Sequence, residues 1–232
     1  MNNNEGNSTE STGIHRRTIV KGAAWSIPVI AAAVAAPNAT ASTTAPCPTG
    51  VVDWTSYTRN SATSASGNAI LSDGTLIPFT ITETYGPNIR PVAENLTLDG
   101  QYGRLLHSGV PQARTPDFTY NDRWTMYMQI TFANPVSNLS FRIGDIEWQA
   151  SREFVGVTAS GSGVAASPSS GIALFRQGQY AQTTNGTSAG YVDYTVPGPT
   201  SSITLAYTRI KSTNPQYEGG VNVSRMNFDA VC

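Results

Sequence analysis

The stretch TMYMQITFANPVSNLSFRI, residues 125–143, decides the fold. Its first part sets Met126, Met128, Ile130 and Phe132 at every second position, with Thr125, Tyr127, Gln129 and Thr131 between them. Successive side chains of an extended chain point to opposite faces, so this spacing predicts a strand with one apolar and one polar face. Residues 138–143 repeat the pattern, with Leu139, Phe141 and Ile143 opposite Ser140 and Arg142. Between the two parts, Asn134-Pro135 punctuates the chain, because Pro135 has no N–H to give to a ladder. Residues 202–210 read the same way, with Ile203, Leu205 and Tyr207 opposite Thr204, Ala206 and Thr208.

Shorter period-two segments at residues 51–57, 76–82, 102–106, 154–158, 172–175, 191–196 and 221–228 bring the expectation to about ten strands. No segment holds a helical period for three turns. Asp73-Gly74, Asp99-Gly100 and Asn185-Gly186 supply the positive φ angles of tight hairpins, and Pro197-Gly198-Pro199 and Asn214-Pro215 mark longer connections. Short strands with Gly and Pro turns and one-sided alternation point to an all-β fold. The expected form is a single antiparallel β-sandwich, jelly-roll-like, in which residues 159–171 form a long surface loop.

Residues 1–41 read as a targeting peptide and are set aside from the fold. Arg16 and Arg17 stand after a long polar leader, and Ile19-Val20, Lys21 and a weakly apolar run at residues 22–36 follow. This order resembles a twin-arginine signal, with His15 where that pattern usually has Ser or Thr. Ala39-Thr40-Ala41 offers the small side chains that fit a signal peptidase, which places cleavage before Ser42 and the folded domain at residues 42–232. Export machinery and signal peptidase are therefore expected partners. The sequence has no run of 18 apolar residues, so no membrane span is expected in the mature form.

Cys47 and Cys232 are the two cysteines, 185 positions apart. An even count in an exported chain favours a disulfide, here one that ties the first strand to the last. Neither cysteine has a Cys-x-x-Cys neighbour, so dithiol catalysis is not expected.

Charged residues make up only 12% of the chain, while 51 of 232 residues are Ser or Thr. A formal net charge of -1 supplies no basic field for nucleic acid. After residue 41 the one lysine is Lys211, so the usual protection of sheet edges by lysine is largely missing. Edges must then be covered, or an edge is where a partner pairs.

The run from Ile130 to Glu147, ITFANPVSNLSFRIGDIE, resembles a strand pair recurrent in secreted and surface-displayed, adhesin-like β-sandwich domains of high-GC Gram-positive bacteria, of form F-x-x-P-V-x-N-L-x-F-x-I-x-D-I-D. Glu147 takes the place of the second Asp. Residues 202–208 and 219–228 are similar to the last strands of those sandwiches. The resemblance implies an extracellular or cell-surface interaction module and names no ligand.

Two chemistries can be placed on residues. Asp145 and Glu147 share one side of an extended segment, with Asp117 and Asp122 in the preceding loop, as a structural Ca²⁺ site would need; their other reading is solvated acids or partners of Arg123 and Arg142. Tyr120, Trp124, Tyr127 and Trp148 are candidates for stacking on sugar rings, or for ordinary core and rim packing. Beyond Ca²⁺ no cofactor is expected, since phosphate-binding glycine loops and zinc spacings are absent. The single mature histidine, His107, lacks the companions of a hydrolytic triad. The expected function is a non-catalytic interaction module with an extracellular polysaccharide or surface protein as partner. A secreted carbohydrate-active hydrolase using a carboxylate pair and a structural surface-layer component remain the alternatives.

Overall fold

A computed structural model describes residues 46–86, 89–91, 95–99, 104–111, 123–148, 152–176, 178–184, 186–210 and 219–232. All lie in one unit, Ala45–Cys232. The strands are β1 (Thr49–Val52), β2 (Tyr57–Ser61), β3 (Ser64–Leu71), β4 (Leu76–Tyr85), β5 (Ile89–Pro91), β6 (Leu98–Asp99), β7 (Arg104–Pro111) and β8 (Arg123–Trp148). They continue as β9 (Arg152–Ala159), β10 (Ala165–Pro168), β11 (Ile172–Arg176), β12 (Gln179–Gln182), β13 (Gly186–Val196), β14 (Thr200–Ile210), β15 (Gly219–Val223) and β16 (Met226–Ala230). Every pairing is antiparallel. The architecture is the expected all-β sandwich.

The deciding stretch is one 26-residue strand, β8, and not a hairpin of two. Its first half pairs with β4 and β14, and its second half with β13, β15 and β16. The change of partners falls where β14 skips from Thr131 to Val136, leaving residues 132–135 as an irregularity around Pro135. Asn138 follows with φ of 50°, so the chain bends between the layers without reversing. The first sheet accordingly runs β2-β3-β4-β8-β14-β9-β12-β11. The second places β13 and β10 on one side of β8, and β16 with β1, and β15 with β7, on the other.

Between the layers lie the apolar positions picked out by alternation. Met126, Met128, Ile130, Phe132, Leu139, Phe141 and Ile143 of β8 are all buried, as are Ile203, Leu205 and Tyr207 of β14. Ring contacts bind the core: Phe132 with Phe228 at 5.9 Å, Trp54 edge-on to Phe79 at 5.9 Å, and Tyr180 edge-on to Tyr194 at 6.3 Å. The Cys47–Cys232 disulfide joins the residues that flank β1 and β16, with a Cα separation of 5.8 Å. It extends the β1–β16 ladder, which begins at Thr49 opposite Asp229.

Several elements differ from the expectation. Residues 51–57 are not one strand, because Asp53 accepts hydrogen bonds from the Thr55 N–H and hydroxyl and caps a 3-10 turn at Trp54–Ser56. Trp54 is thereby turned inward, where its Nε1–H donates to the Ser224 carbonyl at 2.8 Å. Residues 221–228 divide at Ser224-Arg225 into β15 and β16. The expected loop at 159–171 contains β10, which pairs with β13. Asp73-Gly74 does form the β3–β4 turn, with Gly74 at φ of 86°.

Candidate functional site

Across the outer face of the second sheet runs a trough that sets polar side chains beside apolar surface. It starts where β1, the end of β3 and β16 meet β8, as a concavity of about 490 Å³ edged by Thr49, Ile70, Asn138, Ser140, Asn227 and Asp229. A second concavity, about 320 Å³, shares Ser140 and Asn227 with the first and adds Arg142, Asp193, Thr195 and Ser224. A third, about 470 Å³, shares Arg142 and reaches Gly144, Asp145, Gly190, Tyr191 and Asn222. The shared residues make the three continuous along β8 from Asn138 to Asp145, roughly 25 Å at the rise of a strand.

Register explains which side chains meet there. Asn138, Ser140 and Arg142 alternate with the buried Leu139, Phe141 and Ile143, so they face out. On β13, Tyr191, Asp193 and Thr195 alternate likewise with Val192, Tyr194 and Val196. Direct pairing sets Asp193 opposite Arg142 and Thr195 opposite Ser140, and β16 brings Asn227 to the other side of Ser140.

Arg142 donates from Nε to Asp193 Oδ1 at 2.7 Å and from Nη2 to Oδ2 at 2.8 Å. That bond raises the guanidinium pKa further above its ordinary value. The Tyr191 ring stacks on the same guanidinium, its centroid 3.6 Å from Cζ. The pair is exposed (42% and 46%), so it adds little to stability. Its effect is to fix a flat, charge-balanced floor. At the far end Asn222 Oδ1 is buried with no hydrogen-bond partner among the described residues, an acceptor at the wall of the third concavity.

The third concavity is opened by a bulge. Gly190 pairs with Ile146 but Val192 pairs with Ile143, so β8 carries one extra residue there, and Asp145 sits at φ of 66°. Asp145 therefore borders the trough. Glu147 does not; burial, and then the charge of Asp145, raise its pKa. Behind it lies a group that alternation alone did not reveal. Glu153 is buried, accepting the Tyr207 hydroxyl at 2.6 Å on Oε1 and the Glu147 N–H at 2.9 Å on Oε2. Burial pushes its pKa up to about 8, against the opposing effect of both donors and of buried Arg209.

The expected site residues are spread apart. Tyr127 is 45% exposed on the outer face of the first sheet, beside Thr84 and Ala206. Trp148, at the other end of β8, packs 4.4 Å from the Arg152 guanidinium and shares no ring contact with Tyr127. Trp124 is placed in β8 opposite Arg209. Tyr120, Asp117 and Asp122 lie outside the described residues, as do Arg16, Arg17, Lys21, Ala39 and Ala41 of the export segment. Among the described residues no three metal-ligating side chains gather around Asp145 and Glu147. The trough's Arg142 and Asp193 had a signal in the sequence: each is the one charge in its alternating segment, residues 138–143 and 191–196, and the two have opposite signs.

Fold and site together define an antiparallel β-sandwich with a trough on one sheet, centred on the Arg142–Asp193 pair and bounded by Asp229 at one end and Asp145 at the other. No family model matches the sequence, and neither a curated protein nor a solved structure matches it. Among the described residues no helix is long and apolar enough to cross a membrane.

Proposed function

We propose that this chain is an exported, non-catalytic interaction module that holds an extracellular glycan chain along the trough. The observation that carries the proposal is the trough itself. Asn138, Ser140, Thr195 and Asn227 offer hydroxyls and amides to sugar hydroxyls, the Arg142–Asp193 pair gives donors and acceptors in a fixed plane, and Tyr191 adds a ring. Length supports a chain over a single sugar. The disulfide suits an oxidising compartment, and the twin-arginine-like segment supplies a route to one.

The carboxylates favour binding over hydrolysis. Glu153 is sealed from solvent and engaged by Tyr207 and the Glu147 N–H, and of the trough's three acids Asp193 is held by Arg142 and Asp229 by the Asn138 amide, while Asp145 stands at the far end. Affinity electrophoresis tests the reading: migration of the protein is slowed in gels containing a soluble neutral polysaccharide, and Tyr191→Ala restores it. Unchanged migration in all such gels overturns it.

A further inference from the structure

The outer face of the first sheet is a second surface, built differently from the trough. Following the register across strands, Ser66, Thr80, Thr131 and Ser202 stand in one rank. Ser64, Thr82, Gln129, Thr204 and Thr158 form the next, across five strands. Thr84, Tyr127 and Ala206 begin a third. Thr80, Thr82, Thr84, Gln129, Thr131 and Thr158 are all exposed. No position in these three ranks is charged: Glu83, Glu153 and Arg209 of the same strands are buried, and Arg152 of β9 lies two ranks further along, opposite Ile210.

Neighbouring strands lie about 4.8 Å apart and same-face residues about 6.7 Å apart, so the ranks form a net of hydroxyls and methyls. Whereas Asn138 and Arg142 in the trough are tied to neighbouring acids, Thr80, Thr82, Thr131, Thr158 and Thr204 make no side-chain hydrogen bond to a described residue. We infer that this face docks on the ordered surface of an insoluble, uncharged polysaccharide, whose packed chains present rows of hydroxyls. An uncharged face matches an uncharged solid: hydroxyls exchange water for partner hydroxyls at small net cost, with no ion to desolvate. Threonine methyls and the Tyr127 ring supply the apolar contact. A second copy of the chain is a poorer occupant, since stable protein interfaces centre on clustered apolar and aromatic anchors and these ranks hold one aromatic, Tyr127. The inference does not rest on the trough.

The test is depletion of the full chain from solution by microcrystalline cellulose, chitin and insoluble α-1,3-glucan. The variants are Thr82→Lys, Thr82→Glu and Thr131→Lys, exposed mid-rank positions whose folding is checked by melting temperature, with Tyr191→Ala as the trough control. Expected is depletion by at least one solid that persists in the Tyr191→Ala background, where the trough's share is removed, and that charge of either sign on this face reduces there by about tenfold. Three results overturn it: no depletion by any of the three solids in that background, depletion that all three face variants retain there, or a dimer in sedimentation equilibrium that Thr82→Lys dissociates.

Discussion

Glu153→Gln replaces a buried, protonated acid by a neutral amide of the same shape, and its effect must depend on pH. In the folded chain burial raises the Glu153 pKa to about 8, while in the unfolded chain the group titrates near its ordinary value. Below about pH 4 both states hold the proton and the group contributes no difference. From there to pH 8 the unfolded chain has released a proton that the folded chain keeps, so stability falls as pH rises, by about 1.4 kcal/mol per pH unit at most. Above pH 8 the loss levels off. The full range amounts to several kcal/mol, a large share of a normal domain's stability. Urea unfolding of both proteins at fixed ionic strength, from pH 5 to 9, reads this directly. At pH 5 the variant should lie within about 1 kcal/mol of the native chain, the difference being the bond with Tyr207, whose hydroxyl turns to accept from the amide NH2 while the amide oxygen keeps the Glu147 N–H. By pH 8 it should be the more stable protein by a few kcal/mol. Parallel profiles would refute the reasoning, because they would mean that Glu153 is ionised in the fold, with Arg209 as its counter-ion.

Other expectations follow from packing, the disulfide and the leader. Replacing Cys47 and Cys232 by serine opens a loop of 185 residues and should lower stability by up to roughly 5 kcal/mol, read as a fall in melting temperature that reductant reproduces in the native chain. Gly50 has no room for a side chain: a Cβ there would come 2.4 Å from the Phe228 ring and 2.6 Å from Leu71, so Gly50→Ala should destabilise by about 1–3 kcal/mol in the same assay. Replacing Arg16 and Arg17 by lysine should abolish export, and N-terminal sequencing of the exported native protein should begin at Ser42; export that survives the double replacement would exclude the twin-arginine route.

Much of the sandwich was legible because β8, β4, β13 and β14 each bury one face and so carry a clean period of two. β3 escaped notice because Ser64, Ser66 and Gly67 give alternation no contrast, although Ala65 and Ala69 are buried. β2 and β10 are edge strands with few buried side chains, and the pattern cannot register what the core does not demand. The trough was only half legible. Arg142 and Asp193 lie 51 positions apart, and nothing local says that β13 pairs with the second half of β8 in the register that joins them. Glu153 was hidden for a different reason: its buried partner Tyr207 fits the apolar pattern of β14, so the pattern records the ring and not the hydroxyl that binds the acid. The scarcity of charge also gains a location. It falls on the ranks of the first sheet, while the described ion pairs, Arg142 with Asp193 and Arg225 with Asp53, lie on the second sheet or beside it.

The central claim, a glycan chain held in the trough, is tested most directly by isothermal titration of the purified protein with neutral oligosaccharides of increasing length. Affinity should rise with length until the trough is filled, and should fall about tenfold in both Tyr191→Ala and Asn227→Ala with no change in melting temperature. Absence of binding at every length, or affinity that both variants leave untouched, would contradict it.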